Sequence, residues 1–183
     1  TRLLGLIPQT GAALEASASF YACAITSGAS GLVLDQTNGV ALRKNAIVGS
    51  AENGVYFKPN SNASLVEDNL VMGSGGTGFY LHTVFDNTLR RNVALAGAGY
   101  GYSLYRADRD RIYDSTAAYN AFDGFLSSGV SNADWILRGG ASYRNAQRGL
   151  YIKEASRIRV EDFRVSSNTL AGVQTDFDVG ALR

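Results

Sequence analysis

Three side chains that could move a proton on and off a substrate recur at nearly one interval. Lys58, His82 and Tyr105 lie 24 and 23 residues apart. Removing a proton next to a carboxylate needs a cation that neutralises the carboxylate, a base that takes the proton and an acid that returns one. Lysine, histidine and tyrosine suit these roles. They can act together only if the fold brings residues at this spacing onto one surface.

A repeated glycine phrase predicts such a fold. A small or polar residue, a glycine and alternating apolar residues recur every 23 to 25 positions, at Gly31, Gly54, Gly78, Gly101, Gly124, Gly149 and Gly172. Strand alternation places the first and third residues after each glycine inside and the second and fourth outside. Two further short strands follow in each repeat, and no capped helical pattern interrupts them. The sequence therefore predicts an all-β, right-handed, single-stranded parallel β-helix of about seven to eight coils.

The repeat also assigns interior and corner positions. We expect one interior column of apolar side chains at Leu34, Phe57, Leu81, Leu104 and Ile152. We expect the repeated glycines to supply positive-φ corners. Asparagines should stack in like turns, at Asn45, Asn69, Asn92, Asn120, Asn145 and Asn168. We interpret residues 1–183 as one β-helix domain, with residues 3–25 adding a coil; the chain could be a fragment of a longer protein.

Composition narrows the partners and cofactors. The net charge of +1 gives no global argument for nucleic-acid binding, and no membrane span or signal peptide is visible. Cys23 is the only cysteine, so it forms no disulfide within the chain. We expect no cofactor; a calcium ion at Asp108 and Asp110 is a weak alternative, because short acidic pairs are common by chance.

The outward positions of the glycine strand suggest a polysaccharide site. Tyr56 and Tyr80 could stack on sugar rings, Arg106 could pair with carboxylates, and Tyr151 and Lys153 could extend the surface. We therefore predict an acidic polysaccharide as partner. The alternative is an ordinary mixed polar surface. A second strip, formed by Arg43, Arg90, Arg111 and Arg159, could hold an anionic chain or simply pair with nearby acids.

Two stretches carry a family resemblance. Residues 139–152 (GGASYRNAQRGLYI) and 90–94 (RRNVA) resemble right-handed parallel β-helix proteins that act on carbohydrates, and are most similar to catalytic modules of mannuronan C5-epimerases. Those epimerases carry a Tyr-Gly-Phe-Asp-Pro-His motif. The matching stretch here is residues 77–82, Thr-Gly-Phe-Tyr-Leu-His, which keeps Gly78, Phe79 and His82 and departs at the other three positions. The resemblance implies a catalytic position for His82, while Lys58 matches the family's carboxylate-neutralising cation in position only.

Three functions stay open from the sequence. The first is an epimerase or lyase of uronate polysaccharides, in the periplasm or outside the cell, as the resemblance implies. The second is a non-catalytic β-helix that binds glycans, such as part of a tailspike or an adhesin. The third is a structural subunit that self-assembles as a homo-oligomer or by end-to-end stacking, because bare solenoid ends are adhesive edges.

Overall fold

The computed structural model of the chain describes residues 19–129 and 132–176. These residues form seven coils of short strands without a helix. In chain order the strands are, in coil 1, β1 (Ser19–Tyr21), β2 (Ala24–Gly28) and β3 (Leu32–Leu34); in coil 2, β4 (Ala41–Arg43), β5 (Ala46–Ser50) and β6 (Val55–Phe57); in coil 3, β7 (Leu65–Glu67), β8 (Leu70–Met72) and β9 (Phe79–His82); in coil 4, β10 (Thr88–Arg90), β11 (Val93–Leu95) and β12 (Tyr102–Tyr105); in coil 5, β13 (Arg111–Tyr113), β14 (Thr116–Ala118) and β15 (Phe125–Ser128); in coil 6, β16 (Asn132–Ala133), β17 (Ile136–Arg138), β18 (Ala141–Tyr143) and β19 (Arg148–Ile152); and in coil 7, β20 (Ala155–Ser156), β21 (Arg159–Glu161), β22 (Arg164–Ser166) and β23 (Ala171–Thr175).

Like strands of successive coils pair in parallel and build three long sheets. Sheet 1 contains β3, β6, β9, β12, β15, β19 and β23, each of which follows a repeated glycine. Sheet 2 contains β1, β4, β7, β10, β13, β17 and β21, and sheet 3 contains β2, β5, β8, β11, β14, β18 and β22. Strands β16 and β20 pair separately. The predicted right-handed parallel β-helix is confirmed; residues 1–18 and 177–183 of the predicted single domain lie outside the described residues.

The interior column forms as predicted. Leu34, Phe57, Leu81, Leu104 and Ile152 are at most 1% exposed, and strand pairing places them in register along sheet 1. Coil 5 puts a serine, Ser127, in this column. Its hydroxyl accepts hydrogen bonds from Asn132 Nδ2 at 2.8 Å and Trp135 Nε1 at 3.1 Å, so the buried oxygen is satisfied.

The asparagines stack in two ladders. At the corner between sheets 2 and 3, the amide of Asn45 donates to Asn69 Oδ1 at 2.8 Å, and that of Asn69 donates to Asn92 Oδ1 at 2.9 Å. Asn120, Asn145 and Asn168 repeat the pattern between sheets 3 and 1. The predicted structural role of these residues is confirmed, because each amide pairs polar groups of neighbouring coils that would otherwise be buried unpaired.

The repeated glycines do not occupy positive-φ corners, so that prediction was wrong. The left-handed corners fall on other residues, such as Lys44, Asp68 and Arg91, which precede the first asparagine ladder. The repeated glycines are instead places of close approach. A Cβ at Gly54 would lie 2.1 Å from Val71 Cγ1 and 2.6 Å from the Gly78 carbonyl oxygen. The glycine therefore lets the start of sheet 1 pack directly on the interior side chains of sheet 3.

Candidate functional site

The outer face of sheet 1 gathers most of the predicted site residues in coils 2 to 4. Tyr56 lies in β6, Tyr80 and His82 in β9, and Tyr105 in β12. Strand pairing places Tyr56 opposite Tyr80, and His82 opposite Tyr105. The residues that alternate with these four along their own strands point inward, so the four side chains project from the same outer face. We refer to these four residues as the aromatic cluster.

The rings of the aromatic cluster pack on one another. Tyr56 and Tyr80 stack with ring centroids 5.1 Å apart, and Tyr80 and His82 stack at 5.6 Å. Tyr105 meets the imidazole edge-on, with centroids 5.3 Å apart and planes at 63°. The two tyrosines were predicted to offer flat surfaces to sugar rings. Because the rings partly cover each other, hydroxyl groups and ring edges form much of the surface that remains.

His82 is held by its neighbours. The Tyr56 hydroxyl lies 3.2 Å from Nδ1, a hydrogen bond whose direction depends on the imidazole tautomer. Burial raises the pKa of the Tyr56 phenol, and also that of Tyr80, so both keep their protons at neutral pH. A protonated Tyr56 can donate to Nδ1, which leaves Nε2 protonated, or accept from it, which leaves Nε2 as a base.

Lys58 lies one coil before His82, as predicted, but its ammonium group is engaged elsewhere. Nζ pairs with Asp35 Oδ2 of coil 1 at 2.8 Å, and both side chains remain partly exposed. The hydrogen bond to Asp35 raises the pKa of Lys58. The cation proposed to neutralise a substrate carboxylate therefore already has a carboxylate partner.

Arg106 is the second cation beside the cluster. Its guanidinium carbon lies 5.4 Å from the centroid of the Tyr105 ring, and the residue is exposed at the corner that follows β12. Within residues 19–129 and 132–176, no carboxylate lies within ion-pair distance of it. Arg106 is thus better placed than Lys58 to meet an incoming anion.

Tyr151 and Lys153 lie in and just after β19, two coils beyond Tyr105, and form a separate group. The Tyr151 hydroxyl donates to Asp176, and the Arg148 guanidinium lies 4.0 Å from the centre of the Tyr151 ring. Lys153 is exposed. The structure therefore places these two predicted binding residues on the same face as His82 but not within its cluster.

Sequence reasoning missed the charged partners of both groups. Asp35 lies at the same outward repeat position as Lys58, one coil earlier, so the repeat alone could have predicted this ion pair. The buried Asp123 was not singled out; it accepts the backbone N–H of Arg148 at 2.8 Å and pairs with its guanidinium at 3.1 Å. Burial raises the pKa of Asp123 against the opposing effect of Arg148.

Comparison with known proteins assigns the family. A family profile described as "Periplasmic copper-binding protein (NosD)" matches residues 8–138, which include the whole aromatic cluster. The chain belongs to the NosD family. A search of curated proteins gave no significant match.

Solved structures share the fold of this NosD-family chain. The crystal structure of the periplasmic alginate epimerase AlgG matches with a TM-score of 0.77 and 19% sequence identity over 81% of the chain. A double mutant of AlgG matches with the same TM-score and identity over 83%. The chain spans only 36–37% of the length of those structures. The relationship supports the β-helix architecture that the epimerase resemblance implies.

The arginine strip of sheet 2 in this NosD-family chain is paired internally. Glu67, nearly buried, contacts Arg43 at 2.8 Å and also Arg90. Arg159 pairs with Glu161 at 2.5 Å, and Arg111 donates to a backbone carbonyl oxygen at 2.8 Å. Two alternatives were open for this strip: pairing with nearby acids, or binding an anionic chain. These contacts favour the first.

The acidic pair considered for calcium is divided between two environments. Asp108 pairs with Arg109 at 2.7 Å, whereas Asp110 is fully buried and accepts the Asn87 N–H at 2.7 Å. Burial raises the pKa of Asp110 to about 8. In the described part of this NosD-family chain, no group of three or more His, Cys, Asp and Glu residues could hold a metal ion. That part also contains no helix long and apolar enough to cross a membrane.

Proposed function

We propose that this protein binds an acidic, uronate-containing polysaccharide on the outer face of sheet 1, across coils 2 to 4. The observation that carries the proposal is the aromatic cluster, packed on three adjacent strands and flanked by Lys58 and Arg106. Sugars are bound by aromatic surface together with hydrogen-bonding groups, and arginine pairs well with carboxylates. The fold shared with an alginate epimerase supports the same class of ligand.

Epimerisation or lysis at this face would use the residues of the same cluster. His82 would take the proton next to the uronate carboxylate, and Arg106 or Lys58 would stabilise the negative charge that develops on that carboxylate. In a lyase, Tyr105 would protonate the leaving glycosidic oxygen while a double bond forms in the ring. Because Tyr105 contacts the imidazole, it lies on the same side of a bound sugar as His82, so in an epimerase water would return the proton to the opposite face.

Two observations favour binding over turnover. Lys58 is paired with Asp35, so part of its charge is already compensated. Tyr80 and Leu81 stand where the resembling epimerases have the Asp and Pro of their motif, and Tyr80 is packed into the ring stack. Binding needs neither the Asp nor the Pro of that motif, because it rests on the hydroxyls, ring edges and cations of this face, with Tyr80 among them.

Binding is tested by calorimetric titration with polymannuronate, polyguluronate and polygalacturonate, with dextran as a neutral polymer. We expect Tyr80→Ala and Arg106→Ala to weaken binding by about tenfold each, equivalent to about 1.4 kcal/mol. The matched control is Tyr113→Ala, which removes an outward tyrosine from sheet 2. Equal losses in all three variants would argue against this face, and no binding by the folded protein would overturn the proposal.

Turnover is tested by proton NMR for inverted uronates and by absorbance of unsaturated ends. If the site is catalytic, His82→Ala should remove the product while polysaccharide affinity stays within a few-fold, because a proton-transfer role acts in the transition state. If the site only binds, no product should form with any of the three polymers. In that case Tyr80→Ala and His82→Ala should weaken binding alike. A non-catalytic glycan-binding or structural β-helix is the alternative function.

The copper named in the family description does not fit the donors of this chain. The full sequence contains one His, one Cys and one Met. His82 lies on the outer face of sheet 1, Met72 on that of sheet 3, and Cys23 at a corner of coil 1, so they cannot share one ion. Copper(I) sites use several soft or imidazole ligands. We therefore assign no copper chemistry to this site.

The setting we propose is the periplasm or the cell exterior. The family description and both solved structures concern periplasmic proteins. A surface that recognises polysaccharide would have its ligand in that setting. Fractionation of cells that produce the full-length protein tests this proposal.

A further inference from the structure

The two ring nitrogens of His82 have different surroundings. The Tyr56 hydroxyl lies 3.2 Å from Nδ1, at hydrogen-bond distance. Among residues 19–129 and 132–176, Nε2 has no hydrogen-bond partner, and it is not one of the buried polar atoms left unpaired there. Nε2 is therefore the nitrogen that a ligand on the outer face of sheet 1 would meet. A neutral imidazole carries its proton on one nitrogen only, so the contact at Nδ1 determines whether Nε2 donates or accepts.

The phenol is the better hydrogen-bond donor of the pair. A free imidazole nitrogen takes up a proton close to neutral pH, whereas a phenol loses its proton only near about pH 10. Burial raises the pKa of the Tyr56 phenol, so the hydroxyl keeps its hydrogen. Within the described part of the chain, Nδ1 of His82 is the only acceptor that this hydroxyl meets. These observations favour an O–H group that donates to Nδ1.

The other contacts of the imidazole do not favour a proton on Nδ1. Such a proton is commonly held by a carboxylate or a backbone carbonyl oxygen. Asp35, which lies on the same face, is bound to Lys58 Nζ at 2.8 Å, and no carboxylate or carbonyl oxygen of residues 19–129 and 132–176 accepts a hydrogen bond from His82. Tyr80 stacks on the imidazole, and Tyr105 meets it edge-on. The contact with Tyr56 is thus the one that selects between the two tautomers.

We propose that Tyr56 is a positioning residue that fixes the tautomer of His82. Its hydroxyl donates to Nδ1, the ring proton stays on Nε2, and Nε2–H donates to a carboxylate oxygen of the bound uronate. The identity of this acceptor rests on the proposed polysaccharide function, whereas the tautomer does not. Proton abstraction by His82 would require an Nε2 without its proton. Tyr56 therefore favours recognition of the carboxylate over removal of a proton.

Nitrogen-15 NMR of the imidazole tests the tautomer without any ligand. The chain contains one histidine, so untagged protein labelled at histidine gives a single imidazole. At about pH 8.5, where a histidine is ordinarily neutral, we expect the chemical shift of a protonated nitrogen at Nε2. At Nδ1 we expect that of an unprotonated nitrogen, displaced by an accepted hydrogen bond from the value for free histidine.

Tyr56→Phe removes only the hydroxyl and keeps the ring. The two nitrogen shifts should then move towards each other, because the tautomers interconvert once Nδ1 has lost its donor. Tyr80→Phe is the matched control, since Tyr80 stacks on the same imidazole while its hydroxyl makes no hydrogen bond to His82. It should keep the nitrogen shifts of the wild type. Thermal melting establishes that each variant is folded.

Three results would overturn the role of Tyr56. They are a wild-type imidazole protonated on Nδ1, a wild-type Nδ1 with the shift of free histidine, and a folded Tyr56→Phe with wild-type nitrogen shifts. The first two need no variant.

Addition of mannuronate oligosaccharides to the labelled wild type tests the donor role of Nε2–H. We expect the Nε2 proton resonance to shift and to exchange more slowly with water, and dextran to have neither effect. Binding seen by calorimetry without a response at Nε2 would overturn the donor role while leaving the proposed function intact. No binding by any acidic polymer, together with the expected change in Tyr56→Phe, would overturn the proposed function and support the positioning role of Tyr56.

Discussion

Lys58 shows how strongly a residue on this solenoid depends on its neighbour one coil away. Outward columns stack at about 4.8 Å, so an acid 23 or 24 positions away can capture a cation. Asp35 does so for Lys58, Asp86 for Arg109, and Asp134 for Arg157. Exposed pairs of this kind add little to the stability of the fold, because water screens the charges. Their larger effect is to decide which cations stay available for ligands.

Removing the partner of Lys58 should therefore strengthen binding. Asp35→Asn leaves the ammonium group uncompensated beside the aromatic cluster, and we expect the affinity for polymannuronate to rise about two- to fivefold, or about 0.4–1 kcal/mol. The gain should shrink at high salt, because the interaction is screened. Asp134→Asn, which frees Arg157 away from sheet 1, is the control and should leave the affinity unchanged. A similar gain in both variants would show a general charge effect instead.

The buried carboxyl of Asp110 makes a separate prediction about pH. Its pKa is raised to about 8 by burial, with Asp86 and Asp108 adding to the effect, and Oδ2 has no hydrogen-bond partner among the described residues. An unfolded aspartate has a pKa of about 3.9. Between these values the folded state binds more protons than the unfolded state. Its stability should therefore fall as pH rises, by up to about 1.4 kcal/mol per pH unit.

Asp110→Asn removes this titration while keeping the shape of the side chain. Thermal melts from pH 5 to pH 8.5 should show the variant gaining stability relative to the wild type as pH increases. Using the difference between the two proteins cancels the titration of groups that they share. A difference that stays constant with pH would mean that Asp110 is charged in the folded protein throughout.

At the scale of strands and turns, the sequence predicted most of the architecture. Alternation in the glycine phrase identified the interior column from Leu34 to Ile152, and the asparagine spacing identified both ladders, because each rests on a local period. The structural reason for the repeated glycines could not be predicted from a local sequence pattern. The close approach of Gly54 to Val71 joins two different sheets, and no local pattern reports that distance.

The repeated glycines can be ranked by the space around them. A Cβ at Gly54 would lie 2.1 Å from Val71 Cγ1, whereas one at Gly172, in the same column, would meet only Val165 Cγ1 at 3.6 Å. We expect Gly54→Ala to destabilise the protein by about 1–3 kcal/mol or more, because the coil must shift to relieve the overlap. Gly172→Ala should change stability by less than about 0.5 kcal/mol. Urea unfolding measures both, and equal effects would contradict close packing as the reason for the glycines.

At the scale of the whole molecule, one repeat carries three different faces. Sheet 1 presents aromatic rings and cations, sheet 2 an ion-pair network, and sheet 3 an apolar surface. The core needs only inward positions to be apolar, so outward positions can differ from sheet to sheet. The repeat period therefore predicts the fold but not the function. The residues of the candidate site could be predicted from their positions in the repeat. The pairing of Lys58 and the packing of Tyr56 on Tyr80 could be seen only in the structure.

Separation of the faces also makes a prediction about copper. A soft copper(I) site needs at least two well-placed donors, and the only His, Cys and Met of the chain lie on two different sheets and a corner. Competition with a chromophoric copper(I) chelator should therefore show no tight stoichiometric site in the purified chain. Cys23→Ser and His82→Ala should behave like the wild type in this assay. One tight equivalent of copper that disappears in His82→Ala would contradict the prediction, because it would require a second donor to reach the face of sheet 1. Without such a donor, His82 has only its contacts with Tyr56, Tyr80 and Tyr105, and these suit a ligand approaching from solvent rather than a bound ion.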